Sequence, residues 1–85
     1  MGKYKIKFKK SAEKELRKIP AKELKKILAK IKNLSDNPHP KGSIKLANQE
    51  KYRIRFGNYR ILYNIENNIL TVFIVQVGHR KEVYR

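Results

Sequence analysis

Arg53, Arg55 and Arg60 crowd into one short stretch, "KYRIRFGNYR" at 51–60. A guanidinium never serves as a base near neutrality, but its fixed fork of N–H donors matches the oxygens of a phosphate or carboxylate. Three of them together point to holding an anion rather than moving a proton. The ending "VGHRKEVYR" adds His79, Arg80, Lys81 and Tyr84. His79 and Tyr84 are the candidates there for transferring a proton. The set contains no carboxylate pair, no metal-ligand spacing and no nucleophilic Ser or Cys, so neither a metal nor a cofactor is expected.

The rest of the chain agrees with an anionic partner. Its 85 residues carry 22 Lys and Arg against 7 Asp and Glu, a formal charge of +15. Such a field draws in polyanions, with nucleic acid the leading class and an acidic protein the other. The length is that of one domain, residues 1–85, with a modest core. There are no cysteines, which excludes disulfides and thiolate metal sites. "MGKYKIKFKK" has no apolar signal core, and no apolar run approaches membrane-spanning length. A cytoplasmic protein with no membrane partner is the expectation.

Around the arginines the chain falls into a series of local elements. "KYKIKFKK" alternates, with Tyr4, Ile6 and Phe8 on one face and a lysine row on the other, as a half-buried strand does. The lysines suit a sheet edge. Ser11 is placed to cap a short helix, with Glu13 and Glu15 in its first turn. Pro20 suits the first turn of a second helix, whose apolar stripe is Leu24, Ile27, Leu28, Ile31 and Leu34. Lys22, Lys25, Lys26, Lys30 and Lys32 then form its solvated face. "SDNPHP" ends that helix, and His39 reads as a loop residue. Residues 41–50 form a polar connector with room for a short strand at "SIKLA". Three strands follow at about 51–56, 59–66 and 69–77, with two-residue turns expected at Gly57-Asn58 and Asn67-Asn68. "ILTVFIVQV" is apolar on both faces, as a central strand is. The class is α+β: a strand, an αα-hairpin, then a mainly antiparallel three-strand meander with the helices on one face.

Turn chemistry also assigns faces. A turn at 57–58 pairs Phe56 with Tyr59, Ile54 with Ile61 and Tyr52 with Tyr63. A turn at 67–68 pairs Ile65 with Leu70, Tyr63 with Val72 and Ile61 with Ile74. These residues form an apolar face for the helices to cover. The other face receives Arg53, Arg55, Arg60, Leu62, Asn64, Thr71, Phe73, Val75 and Val77. Arg55 and Arg60 become direct cross-strand neighbours, with Cβ atoms about 5 Å apart, a spacing at which like charges destabilise a sheet. Acids are scarce nearby, since residues 51–85 contain only Glu66 and Glu82. A phosphate between the two guanidinium groups would offset the repulsion.

On these residues the chain resembles the RelE family within the RelE/ParE toxin superfamily. The resemblance spans nearly the whole chain, through the strand–helix–helix opening, the "YRIRFGNYRILYNI" hairpin and the "VGHRKEVYR" ending. It implies a metal-independent endoribonuclease that cuts mRNA in the A site of the 30S subunit, against ribosomal RNA, and that a cognate antitoxin neutralises. Carried over by position, it implies Arg55, Arg60, Arg80 and Tyr84 as the catalytic set. Arg53, Lys51, His79 and Lys81 would then touch RNA. Two positions depart from the best-studied members, which have lysines where this chain has Arg53 and Arg55. Arginine loses a proton less readily than lysine, so a base at 53 or 55 does not carry over with them. The interval from Arg80 to Tyr84 is also short. Tyr84 remains open as base or as stacking platform, and His79 as base or as packing residue. A ParE-like inhibitor of DNA gyrase, or a non-catalytic nucleic-acid-binding module, would share the fold or the basic face. The antitoxin segment that covers the protein is expected to be acidic and apolar.

Overall fold

The computed structural model describes residues 3–46 and 51–79. The elements run β1 (Lys5–Phe8), α1 (Lys10–Arg17), α2 (Ala21–Asn33), β2 (Ile44–Lys45), β3 (Lys51–Phe56), β4 (Tyr59–Glu66), a 3₁₀ turn (Asn67–Ile69) and β5 (Thr71–His79). The five strands form one sheet in the order β1-β5-β4-β3-β2. β1 pairs with β5 in parallel; all other pairs are antiparallel. The α+β class and the αα-hairpin therefore stand as expected. So do the central place of the last strand and the edge position of the lysine-rich first one.

The helices supply Ala12, Ile27 and Ile31 to the core, the link between them Ile19 and the C-cap of α2 Leu34, and the sheet supplies Ile54, Ile61, Tyr63, Val72, Ile74 and Val77. Tyr4, Ile6 and Phe8 pack half-buried against them while Lys5 and Lys7 stay exposed. The apolar stripe of α2 is narrower than its sequence pattern. Ile27 and Ile31 are buried, whereas Leu28 is 40% exposed.

Three local expectations are corrected. Ser11 does not cap α1. Lys9 holds the N-cap position with extended backbone and no side-chain cap bond. Its N–H donates to the Ile74 carbonyl while its own carbonyl accepts from Glu13, so the end of β1 leads straight into the helix. Ser11 lies inside the helix and its hydroxyl donates to the Val75 carbonyl at 3.2 Å. Glu13 is in the first turn, but Glu15 lies beyond it and faces Lys18 at 3.6 Å, an exposed pair that contributes little. Pro20 is one place earlier than expected, as the N-cap of α2, its carbonyl accepting from Leu24.

The third correction concerns register. The β3–β4 hairpin closes as its chemistry demands. Gly57 at φ +56 takes the left-handed place of a two-residue turn, and Arg55 opposes Arg60. The β4–β5 connection does not close on Asn67-Asn68. It runs through the 3₁₀ turn and Leu70, whose φ of 45° is rare for a residue with a Cβ. Two bonds hold that geometry: Lys5 N–H donates to the Leu70 carbonyl, and the Thr71 hydroxyl donates to the Ile69 carbonyl. The longer turn moves β5 by two residues, so Ile65 opposes Val72 and Tyr63 opposes Ile74. A shift of two preserves faces, which leaves Val72 and Ile74 in the core but puts Leu70 in solvent. A β-bulge at Leu62/Tyr63 then shifts the pairing by one more, so Leu62 opposes Gln76 and Ile61 opposes Val77. That odd step turns Val77 from the arginine face into the core, where it is fully buried.

Candidate functional site

Alternation along β3 puts Lys51, Arg53 and Arg55 on the side opposite the buried Ile54, and Arg60 joins them from β4. The four expected cations of the hairpin are thus on one face. Arg55 is exposed, Lys51 and Arg53 are half-buried, and Arg60 is only 3% exposed. A guanidinium so far out of water interacts more strongly with any anion that reaches it, because the local dielectric is low. Glu66, the acid on β4, is six residues from Arg60, about 20 Å along an extended strand.

The bulge shapes this corner. Without its one-residue step the β5 neighbour of Arg60 would be Val77. With it the neighbour is Gly78, which brings no side chain. Bulges recur beside functional sites for this kind of re-aiming. His79 registers against Tyr59, one step from the Arg60–Gly78 pair. It is therefore at the strand end near the arginines, as expected, but in the Tyr59 row rather than theirs. Arg80, Lys81 and Tyr84 lie outside the described residues.

Sequence reasoning missed two features. The first is a basic groove of about 320 Å³ lined by Lys30, Lys41, Gly42, Ile44, Arg53 and Arg55. Lys30 reads from periodicity as solvated and Lys41 as part of a connector. The available signal was "PKG": Ser43 N–H donates to the Pro40 carbonyl and Gly42 has φ +95, a turn that needs glycine at its third position.

The second is the staple behind that turn. The buried Tyr63 hydroxyl donates to the Pro38 carbonyl at 2.8 Å. Tyr52 stacks on Tyr63 with ring centroids 5.8 Å apart, and His39 meets Tyr52 edge-on at 5.0 Å. His39 is exposed and meets the protein here through this ring edge. Burial pushes the Tyr63 hydroxyl up to about 12, only partly countered by Ser43. Between pH 10 and 12 the unfolded chain ionises this phenol while the folded chain keeps it protonated, so stability falls as pH rises through that window. Over that window the loss comes to about 2–3 kcal/mol. Tyr63→Phe is expected to cost about 1 kcal/mol at pH 7 through the lost hydrogen bond and to flatten this alkaline loss. Urea midpoints of both proteins from pH 8 to 12 would check it, the difference between the two isolating the Tyr63 phenol.

The family model described as ParE toxin of type II toxin–antitoxin system, parDE, matches residues 6–84. The chain is 31% identical to Toxin RelG of Mycobacterium tuberculosis, over 96% of this chain and 97% of that protein. It is 28% identical to Putative toxin RelE1 of Methanocaldococcus jannaschii, over 98% and 97%. The fold superposes on the RelBE2 toxin–antitoxin complex of M. tuberculosis with a TM-score of 0.81 at 30% identity, covering 91% of this chain and 98% of that one. It superposes on the archaeal RelE–RelB complex of Pyrococcus horikoshii with a TM-score of 0.82 at 26% identity, covering 92% and 96%. The strand–helix–helix opening, the arginine hairpin and these matches agree: the chain belongs to the RelE/ParE superfamily of type II toxins.

Proposed function

We propose that the protein is a ribosome-dependent mRNA endonuclease, cutting within the A-site codon, and that a cognate antitoxin holds it inactive until release. The observation that carries this reading is the Arg55–Arg60 cross-strand pair on a face poor in acids. The pair is unfavourable in the empty protein and favourable once a phosphate lies between its forks.

RNA supplies its own nucleophile. The 2′-oxygen attacks phosphorus as a base takes its proton, the bond from phosphorus to the 5′-oxygen breaks, and that oxygen takes a proton on leaving. Arg55 and Arg60 stabilise the charge that builds on the phosphate oxygens. Arg80 joins them by its place in the family motif. Arg53 and Lys51, further along β3, hold the strand, and His79 and Lys81 are assigned to contact the same RNA. Tyr84 or His79 handles the protons. Such a proton-transfer set is weak alone and fits an enzyme that borrows the ribosome to orient its substrate. The complexes of related toxins with RelB support an antitoxin partner. The charge of +15 supports an acidic segment on it.

The test is primer-extension mapping of mRNA on programmed ribosomes and of free mRNA, with the wild type and an Arg60→Ala/Arg80→Ala variant. Cuts inside the A-site codon that require both ribosome and arginines are expected. Intact mRNA in the presence of folded protein would overturn the reading. The match to the ParE model favours gyrase as the second target, and loss of DNA supercoiling in a parallel assay would then replace RNA cleavage.

A further inference from the structure

The basic groove at the β2 edge shares Arg55 with the arginine pair and continues away from it. Its lining combines Lys30 from α2, Lys41 and Gly42 from the turn, Ile44 from β2, and Arg53 and Arg55 from β3. Four of these six residues are cationic and none is acidic. The turn that carries Lys41 is fixed by the Ser43-to-Pro40 hydrogen bond and the left-handed Gly42, and is backed by the Tyr63 hydroxyl on Pro38. Lys41 is thus presented by an anchored backbone. Arg53 and Arg55 are about 7 Å apart along the strand, comparable to the spacing of successive phosphates in an extended RNA strand.

We infer that this groove seats the phosphodiester next to the one held between Arg55 and Arg60, so the protein grips two consecutive backbone phosphates. The inference rests on the RNA-cleaving reading and adds Lys30 and Lys41 to it. A second grip along the backbone fixes the direction in which the strand crosses the sheet. It also reads charge rather than base identity.

The probe is a 2′-O-methyl trinucleotide, which cannot be cut, with both linkages charged or with one or the other replaced by a neutral methylphosphonate. For the wild type at low salt, neutralising the outer linkage is expected to weaken binding about tenfold, in the range of a charge-assisted contact. Lys30→Gln/Lys41→Gln should discriminate several-fold less than the wild type, keeping only the preference that Arg53 supplies. Lys14→Gln/Lys18→Gln, the same loss of charge placed on α1 and its C-cap, should discriminate as the wild type does. The inference is overturned if the groove variant discriminates as fully as the wild type, if the α1 variant also loses discrimination, or if the wild type shows none. It is also overturned if the groove variant keeps full discrimination and loses only ribosome affinity, which would assign the groove to ribosomal RNA. Each of those results leaves A-site cleavage, measured on ribosomes, standing or falling separately.

Discussion

Arg60→Ala is expected to lower the rate of A-site cleavage by about 100- to 1000-fold, the usual loss when one preorganised donor to a developing negative charge is removed. The loss should fall mainly in kcat. Arg60 is the least exposed cation of the hairpin, so its fork is held in place and its field is little screened. Those are conditions for stabilising a transition state more than a ground state. Arg53→Ala removes a more accessible cation and is expected to act chiefly on KM. Arg60→Lys keeps the charge but loses the bidentate fork, and its activity should lie between the wild type and the alanine variant. Single-turnover cleavage on saturated ribosomes separates these effects. Arg55→Gln provides the stability control. It removes a like-charge neighbour directly across the ladder, so its melting temperature should stay level or rise while its activity falls. A rate for Arg60→Ala within threefold of the wild type would remove the arginine pair from the chemistry.

Most of what places this pair was legible because it is local. Period-two alternation and a Gly-Asn turn fix the β3–β4 hairpin with few alternatives, so Arg55 opposite Arg60 follows from the residues alone. The β4–β5 register was not legible in this way. It depends on Leu70 accepting a left-handed conformation, which is stabilised by bonds to residues distant or unremarkable in sequence, including Lys5 at the other end of the chain. The bulge is set by packing as well. One extra residue in β5 lets Val77 follow Val72 and Ile74 into the core, and the same step supplies Gly78 opposite Arg60. Core packing and site geometry are thus solved by one backbone irregularity, which neither alternation nor turn chemistry encodes. Ser11 shows the same limit on a smaller scale. Its position suits a cap, but β1 runs directly into α1 and leaves no cap position for it.

Ile27→Ala is expected to cost about 3–4 kcal/mol, while Leu28→Ala, one residue further along the same helix, should cost less than about 1 kcal/mol. Both residues belong to the apolar stripe that periodicity draws on α2, and only the rotation of the helix on the sheet separates them. Ile27 is fully buried among core side chains, whereas Leu28 is 40% exposed. Truncating the first leaves a cavity that its neighbours fill only in part; truncating the second mostly removes surface. For a domain of this size each kcal/mol corresponds to roughly 4–8 °C in melting temperature, so Ile27→Ala should melt more than 10 °C below the wild type. Such a loss is a large share of the roughly 5–15 kcal/mol that holds a typical domain folded. Urea unfolding of the two variants gives the comparison directly. Equal costs would mean that α2 presents a different face to the sheet. Because Lys30 lies on the same helix as both residues, such a rotation would also move it relative to Arg53 and Arg55 and break up the groove that they line together.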